Sequence, residues 1–382
     1  MKKGLLISFL AAMALTTYAQ EKNTITLPSW LSNVKLSGYV LTQYQYSDQE
    51  STTTDAHGQD KSNSFNLRLA RISLDGRIAK DFYWKTQIQI NGNTANLGSS
   101  PRIVDLFAEW QKYKAFRIKF GQYKRPFTFE NPMNPIDQGF YSYSQLINKL
   151  AGFTDRNGSH ASNGRDIGLQ FQGDLFPDAH GRAWVHYQIG VFNGQGINTK
   201  DVDQRKDLIG GAWIMPIEGL RFGAFGWEGS YARKGSWTDE KGTAHNNEVR
   251  SLPQHRYAIS GEYVKSDWTF RSEYAHSTGK AFAKTYNSGV TDCSLSSYGG
   301  KSDAVYALVI APIIKKKLHV KARYDLYRPD GKWDQANTQY EIGADYEFHH
   351  NFEISGEFCR VNNRALVKHD YNMIDIQVDW RF

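Results

Sequence analysis

From Val34 onward the chain alternates. In VKLSGYVLTQYQY, Leu36, Gly38, Val40, Tyr44 and Tyr46 fall on one face, and Lys35, Ser37, Gln43 and Gln45 on the other. FYWKTQIQIN repeats the pattern, with Phe82, Trp84, Ile88 and Ile90 opposite Lys85, Gln87, Gln89 and Asn91. A period of two held over such lengths is the mark of strands with one apolar and one wet face. About sixteen such runs succeed one another, starting near Val34, Phe65, Phe82, Ile103, Phe116, Asp166, Ala183, Leu208, Leu220, Arg256, Trp268, Ala304, Leu318, Tyr340, Phe352 and Tyr371. The one helical competitor is YSQLINKLAG, where Leu146, Ile147 and Leu150 share a helix face.

The connections sort by length. With the first strand taken as rising, the even-numbered ones are short (GRIAKD, KYKA, PIEG, VKSD, PIIKKK, HHN, and the longer DLFPDAHGR), and the odd-numbered ones are long, residues 124 to 164 the longest. Short turns at one end and long polar loops at the other predict an outer-membrane barrel, not a soluble sandwich. Lipid offers backbone groups no hydrogen bonds, so a spanning sheet has to close on itself. Its apolar face then meets lipid, and charged positions mark the lumen. The final strand, YNMIDIQVDWRF, sets Ile374, Ile376, Val378, Trp380 and Phe382 against Asp375, Gln377, Asp379 and Arg381. A terminal aromatic after such a strand resembles the signal read by bacterial barrel-assembly machinery.

Composition sharpens this picture. Aromatic residues make up 14% of the chain, and two explanations compete: rings favour strands, and rings with polar tips suit membrane–water interfaces. Lys2 and Lys3, the apolar GLLISFLAAMAL and Ala19 predict a secretory signal peptide over residues 1–19. Its removal takes two lysines from a formal charge of +7. Residues 20–33 then form a periplasmic lead-in, and 34–382 the barrel. No later apolar run reaches the roughly 20 residues of a spanning helix. Cys293 and Cys359 allow at most one disulfide, and bridged and unpaired states both stand open.

FRIKFGQYKRPFTFEN (116–131) resembles the signature of the phosphate-selective porin family of bacterial outer membranes. FNLRLARISLDGRI, RDIGLQFQGDL, YQIGVFNGQG and KDLIGGAWIMP match the family's pattern in the same order, and VKARYDLYRPDG does so beyond residue 230. The resemblance implies an all-β, 16-stranded antiparallel transmembrane barrel, usually a homotrimer, whose long third loop folds into the lumen. The third loop here is 124–164, with the helical segment 143–150 inside it.

An anion channel replaces part of an ion's hydration without trapping it. One cation supplies only about 1 kcal/mol in watery surroundings, so several have to act along the path. Parity and position nominate Arg71, Lys85, Arg117, Lys119, Lys321 and Arg323 on the lumen face, and Lys124, Arg125 and Arg165 at the base of the long loop. Asp105, Glu109, Glu273, Glu341, Asp345, Glu347, Glu353 and Glu357 share the lumen parity and oppose them. The expected function is passive diffusion of small anions, phosphate or polyphosphate among them. A mixed-charge porin for other solutes and a non-conducting structural or adhesive barrel are the alternatives. No catalytic residue, metal site or cofactor is expected: the chain has neither G-x-S-x-G nor H-E-x-x-H. Its partners are small anions, outer-membrane lipid and the assembly machinery. Nucleic acid is not among them, because alternation aims the cations inward.

Overall fold

A computed structural model describes residues 31–50, 62–91, 101–152, 163–283, 291–296 and 300–382. The expected signal peptide and the lead-in up to residue 30 lie outside them. Sixteen strands run in order: β1 Leu31–Ser47, β2 Ser62–Ile78, β3 Phe82–Asn91, β4 Arg102–Tyr113, β5 Phe116–Lys124, β6 Arg165–Pro177, β7 Ala183–Phe192 and β8 Asp207–Ile214, then β9 Leu220–Thr238, β10 Ala244–Lys265, β11 Trp268–Thr278, β12 Lys301–Ile314, β13 Leu318–Pro329, β14 Asn337–His349, β15 Phe352–Asn363 and β16 Asp370–Arg381. One short helix, α1 (Gln145–Leu150), lies between β5 and β6. Each strand pairs with its sequence neighbours and β1 pairs with β16, which closes the barrel.

Alternation along the strands becomes alternation in burial. From Leu252 to Glu262 on β10, buried positions alternate with more exposed ones, the buried side chains turning inward. Leu36, Phe65, Phe120, Ile259 and Ile342 are exposed on the outside, which makes that face apolar. At the short-turn end the exposed rings gather into a belt. Trp268 stacks on Phe270 at 5.5 Å, Phe116 on Phe171 at 5.8 Å, and Phe348 meets Phe352 across its turn at 5.8 Å. Such a belt is what rings at a membrane–water interface form.

The barrel's closing seam and its tallest hairpin both depart from a plain ring of strands. The seam between β1 and β16 is tightened at the chain end, where Gly38 and Phe382 exchange backbone hydrogen bonds of 3.0 and 3.1 Å. A side chain at Gly38 would meet the Phe382 ring at 2.4 Å, so the missing Cβ is what admits the ring. The hairpin departs from expectation as well. β10 begins at Ala244, not near Arg256, and pairs with β9 from Thr238 down to Leu220. It rises beyond the apolar band, where neither face needs lipid and period two fades. Backbone pairing continues there on a small core of Tyr231, Leu252, Phe282 and Cys293, with Trp237 stacked on His245 at 3.9 Å. Cys293 and Cys359 are both buried and unbridged.

Candidate functional site

The third loop leaves β5 through a sharp local geometry. Gly121 has φ +130°, in a region that side chains rarely enter, and lies against Phe107 of β4. Arg125 then turns inward. It is fully buried, its guanidinium 2.9 Å from the Asp166 carboxylate and 4.7 Å from the Trp227 ring centroid, and its backbone N–H donates to Gly164 O at 2.9 Å. Asn131 Nδ2 donates to Arg125 O at 2.9 Å and to Gly164 O at 3.3 Å, tying the two ends of the loop together. Phe127 and Phe129 wedge against Phe225, Trp227 and Trp213 on β8 and β9, their rings meeting edge to face. Thr128 takes φ +67°, a strained conformation for a β-branched residue. It directs two successive N–H groups, those of Phe129 and Glu130, onto the Glu273 carboxylate of β11 at 2.7 and 2.9 Å.

The loop then crosses the lumen and is fastened to the far wall by its own backbone. Tyr141 N donates to Glu357 at 2.9 Å and Gln145 N to Asp325 at 2.8 Å. Carbonyls take the opposite charge: Lys321 donates to Gly139 O at 2.8 Å, Arg323 to Ser142 O at 3.0 Å and Arg256 to Leu150 O at 2.8 Å. Ser144 caps α1 by accepting from Ile147 N, while its own hydroxyl donates to Glu130 at 2.6 Å. Leu146, Ile147 and Leu150 are fully buried against β11 to β13. Buried peptide groups that would otherwise cost several kcal/mol each are thereby satisfied.

The nine nominated cations divide by what they touch. Arg125, Lys321 and Arg323 hold the loop or its acids: Lys321 lies 2.7 Å from Glu357, and Arg323 grips Glu341 with two nitrogens. Arg117 pairs with Asp174 at 2.9 Å, and Lys85 lies 3.6 Å from Asp105. Lys119 rests over the Phe107 and Tyr123 rings at 4.3 and 4.7 Å. The remaining three come together. Arg71 on β2 donates to Tyr39 Oη at 2.9 Å and to Gln89. Arg165 reaches Asp105 at 2.6 Å, and Lys124 donates to Met133 O and to Tyr143 Oη at 2.6 Å. The opposing acids are largely occupied as well, by ion pairs or by loop N–H groups.

Sequence parity missed one member of this group. Arg102, the first residue of β4, has buried Nε and Nη2 atoms with no hydrogen-bond partner among the described residues, and Arg71 and Arg165 are near enough for their charges to act on it. β4 carries an extra residue, Val104, where Gln87 pairs with Asp105 but Ile88 pairs with Ile103. The bulge puts Arg102 and Asp105 on the same side, although their spacing by parity sets them apart. Tyr39 and Tyr143, whose hydroxyls face Arg71 and Lys124, also carried no sequence signal. Arg71, Arg102, Lys124 and Arg165 thus surround the base of the loop with Asp105 as the carboxylate in direct contact. Among the described residues, no group of three His, Cys, Asp or Glu side chains is placed to hold a metal ion.

Residues 39–203 match the model of the family described as phosphate-selective porin O and P. The barrel has the fold of solved outer-membrane porins. An anion-selective porin from Comamonas acidovorans superimposes on this chain with a TM-score of 0.63 at 14% identity, over 92% of this chain and 99% of that one. The outer membrane channel DcaP of Acinetobacter baumannii gives 0.60 at 14%, over 92% and 97%. OmpT of Vibrio cholerae in its trimer form gives 0.57 at 13%, over 92% and 99%. At these identities the likeness is one of fold. No curated protein sequence matches the chain significantly. The family match spans the strands that carry Arg71, Arg102, Lys124 and Arg165, and ends before the far wall.

Proposed function

We propose that this porin is a channel of the bacterial outer membrane through which small anions, phosphate and polyphosphate among them, diffuse passively. The observation that carries the reading is the set of four cations, Arg71, Arg102, Lys124 and Arg165, beside one contacting carboxylate at the base of the inward-folded loop. Planar guanidinium forks suit the oxygens of phosphate, and Lys124 adds a point charge. Hydrogen bonds from Arg71 to Tyr39 and Gln89 orient its buried guanidinium without neutralising it, so its charge acts on a passing ion as a field and not by contact. A channel, not an enzyme, fits a wall of this kind, and a homotrimer is the assembly that the family resemblance and the trimeric OmpT fold support. Export by the 1–19 signal and handling of the Phe382 end by assembly machinery complete the proposal. The same four cations separate it from a mixed-charge pore for other solutes, which the acids of β14 and β15 favour.

Single-channel recording of the purified protein in planar bilayers, with reversal potentials in chloride and in phosphate gradients, tests this. Open pores with anion preference are expected. Absence of conductance defeats the channel, and cation preference defeats the anion reading. Charge reversal at Lys124 is expected to lower the anion preference, and an unchanged reversal potential removes it from the path.

A further inference from the structure

The outward face of the barrel is apolar over most strands, yet between β7 and β11 it holds a groove of about 710 Å³. Ile189, Leu208 and Tyr257 line it, and Gly210 and Gly226 leave its floor low. A Cβ placed on Gly226 would find no atom within 4 Å, so the floor is open space that no neighbouring side chain fills. Cross-strand pairing orders its contents. One row runs Leu208, Glu228, His255, Thr278 and Lys301, each opposite the next on the adjacent strand. The row begins apolar and ends cationic. Glu228 and His255 face each other at 2.5 Å. Outward charges cost most at the bilayer midplane and little near its surface, so this row marks the interfacial depth of the long-loop leaflet.

At Thr278 the groove joins a second hollow of about 400 Å³, lined by Gly300, Lys301, Asp330 and Lys332. Lys301 runs alongside Gly331, since a Cβ there would lie 3.5 Å from its Cε. Neither Lys301 nor Lys332 has an ion-pair partner among the described residues. The neighbouring cation Arg328 is already held by Asp303 with two contacts of 2.7 Å. Asp330 contributes a buried Oδ1 that has no hydrogen-bond partner among the described residues, an acceptor suited to a hydroxyl.

We propose that this outward groove holds a phosphorylated, acylated glycolipid of the outer leaflet, its acyl chains over Gly210 and Gly226, its phosphate against Lys301 and Lys332, and a sugar hydroxyl on Asp330. The charge order carries the assignment: an apolar trough, an interfacial band and a hollow with two lysines to one carboxylate succeed one another as the parts of such a lipid do. The volume lies within the range of small-molecule pockets, roughly 300–1,000 Å³. The inference rests on the proposed outer-membrane placement, not on the transported solute.

The test is native mass spectrometry of the detergent-solubilised full chain, titrated with bisphosphorylated hexaacyl lipid A and, in parallel, with phosphatidylethanolamine. The wild type is expected to retain lipid A in preference. The double variant Lys301→Glu, Lys332→Glu and the groove-filling Gly226→Trp are each expected to weaken retention about tenfold or more, with single-channel conductance unchanged. Equal retention of the two lipids by the wild type, or lipid A retention untouched in both variants, overturns the site. A wild type that conducts yet ignores lipid A overturns the groove alone, whereas one that does not conduct overturns the pore.

Discussion

Arg125 and Arg102 show why a cation's sequence position says little about its task. Arg125 is enclosed by Asp166 and Trp227, and removing one partner of a buried pair costs about 3–5 kcal/mol. Arg125→Ala is therefore expected to impair barrel formation, seen as loss of the heat-modifiable folded band on gels. Arg102 leaves two nitrogens uncommitted. Arg102→Gln is expected to leave the barrel folded and move the reversal potential towards cation preference. If that variant conducts with wild-type selectivity, Arg102 has no part in the path. Parity read the facing of Arg117, Lys321 and Arg323 correctly, because β5 and β13 run without a bulge through those positions. It could not read their partners. Arg323 meets Ser142 across 181 positions of chain, and whether a lumen cation is free or fastened depends on where the loop comes to rest.

Among elements, the strands were legible and the loop's fastening was not. Alternation placed β3, β5, β7, β9, β11, β13 and β15 at their observed starts, because an apolar outside and a polar lumen impose period two. It failed where that imposition ends, at the top of β10. The helix inside the third loop was visible from Leu146, Ile147 and Leu150, though not that Ser144 and Glu130 would hold it. Gly121 of β5 has a second reason to lack a side chain: a Cβ there would lie 2.2 Å from Leu106 O and 2.7 Å from Phe107 Cα. Gly121→Ala is expected to cost on the order of 1–3 kcal/mol from strain alone. A lowered urea midpoint for the refolded barrel is the measurement, and an unchanged midpoint refutes the argument.

Across the whole molecule, charge is arranged as much to hold the channel's shape as to choose its traffic. Most lumen acids are engaged by arginine, lysine or loop N–H groups, so the wall's acidity is less than its composition suggests. Of the four cations at the base of the loop, Arg102 and Lys124 keep partial exposure, whereas Arg71 and Arg165 are buried and act through their field. Screening lengths shrink from about 10 Å at 0.1 M salt to about 3 Å at 1 M, and the anion preference is expected to fall over that range. Reversal potentials measured at both concentrations settle it, and a salt-independent preference would point to direct coordination instead of a field. The third loop is rooted at β5 and β6 and pinned to β11, β13 and β15 on the opposite side of a ring of sixteen strands. A closed sheet is firm along its ladders but gives easily at the angle between one strand and the next, so an empty ring flattens under sideways pressure. Here a strut spans it. The hydrogen bonds that carry the loop across the lumen also brace the hoop, and any sideways pressure on the ring is carried through that loop.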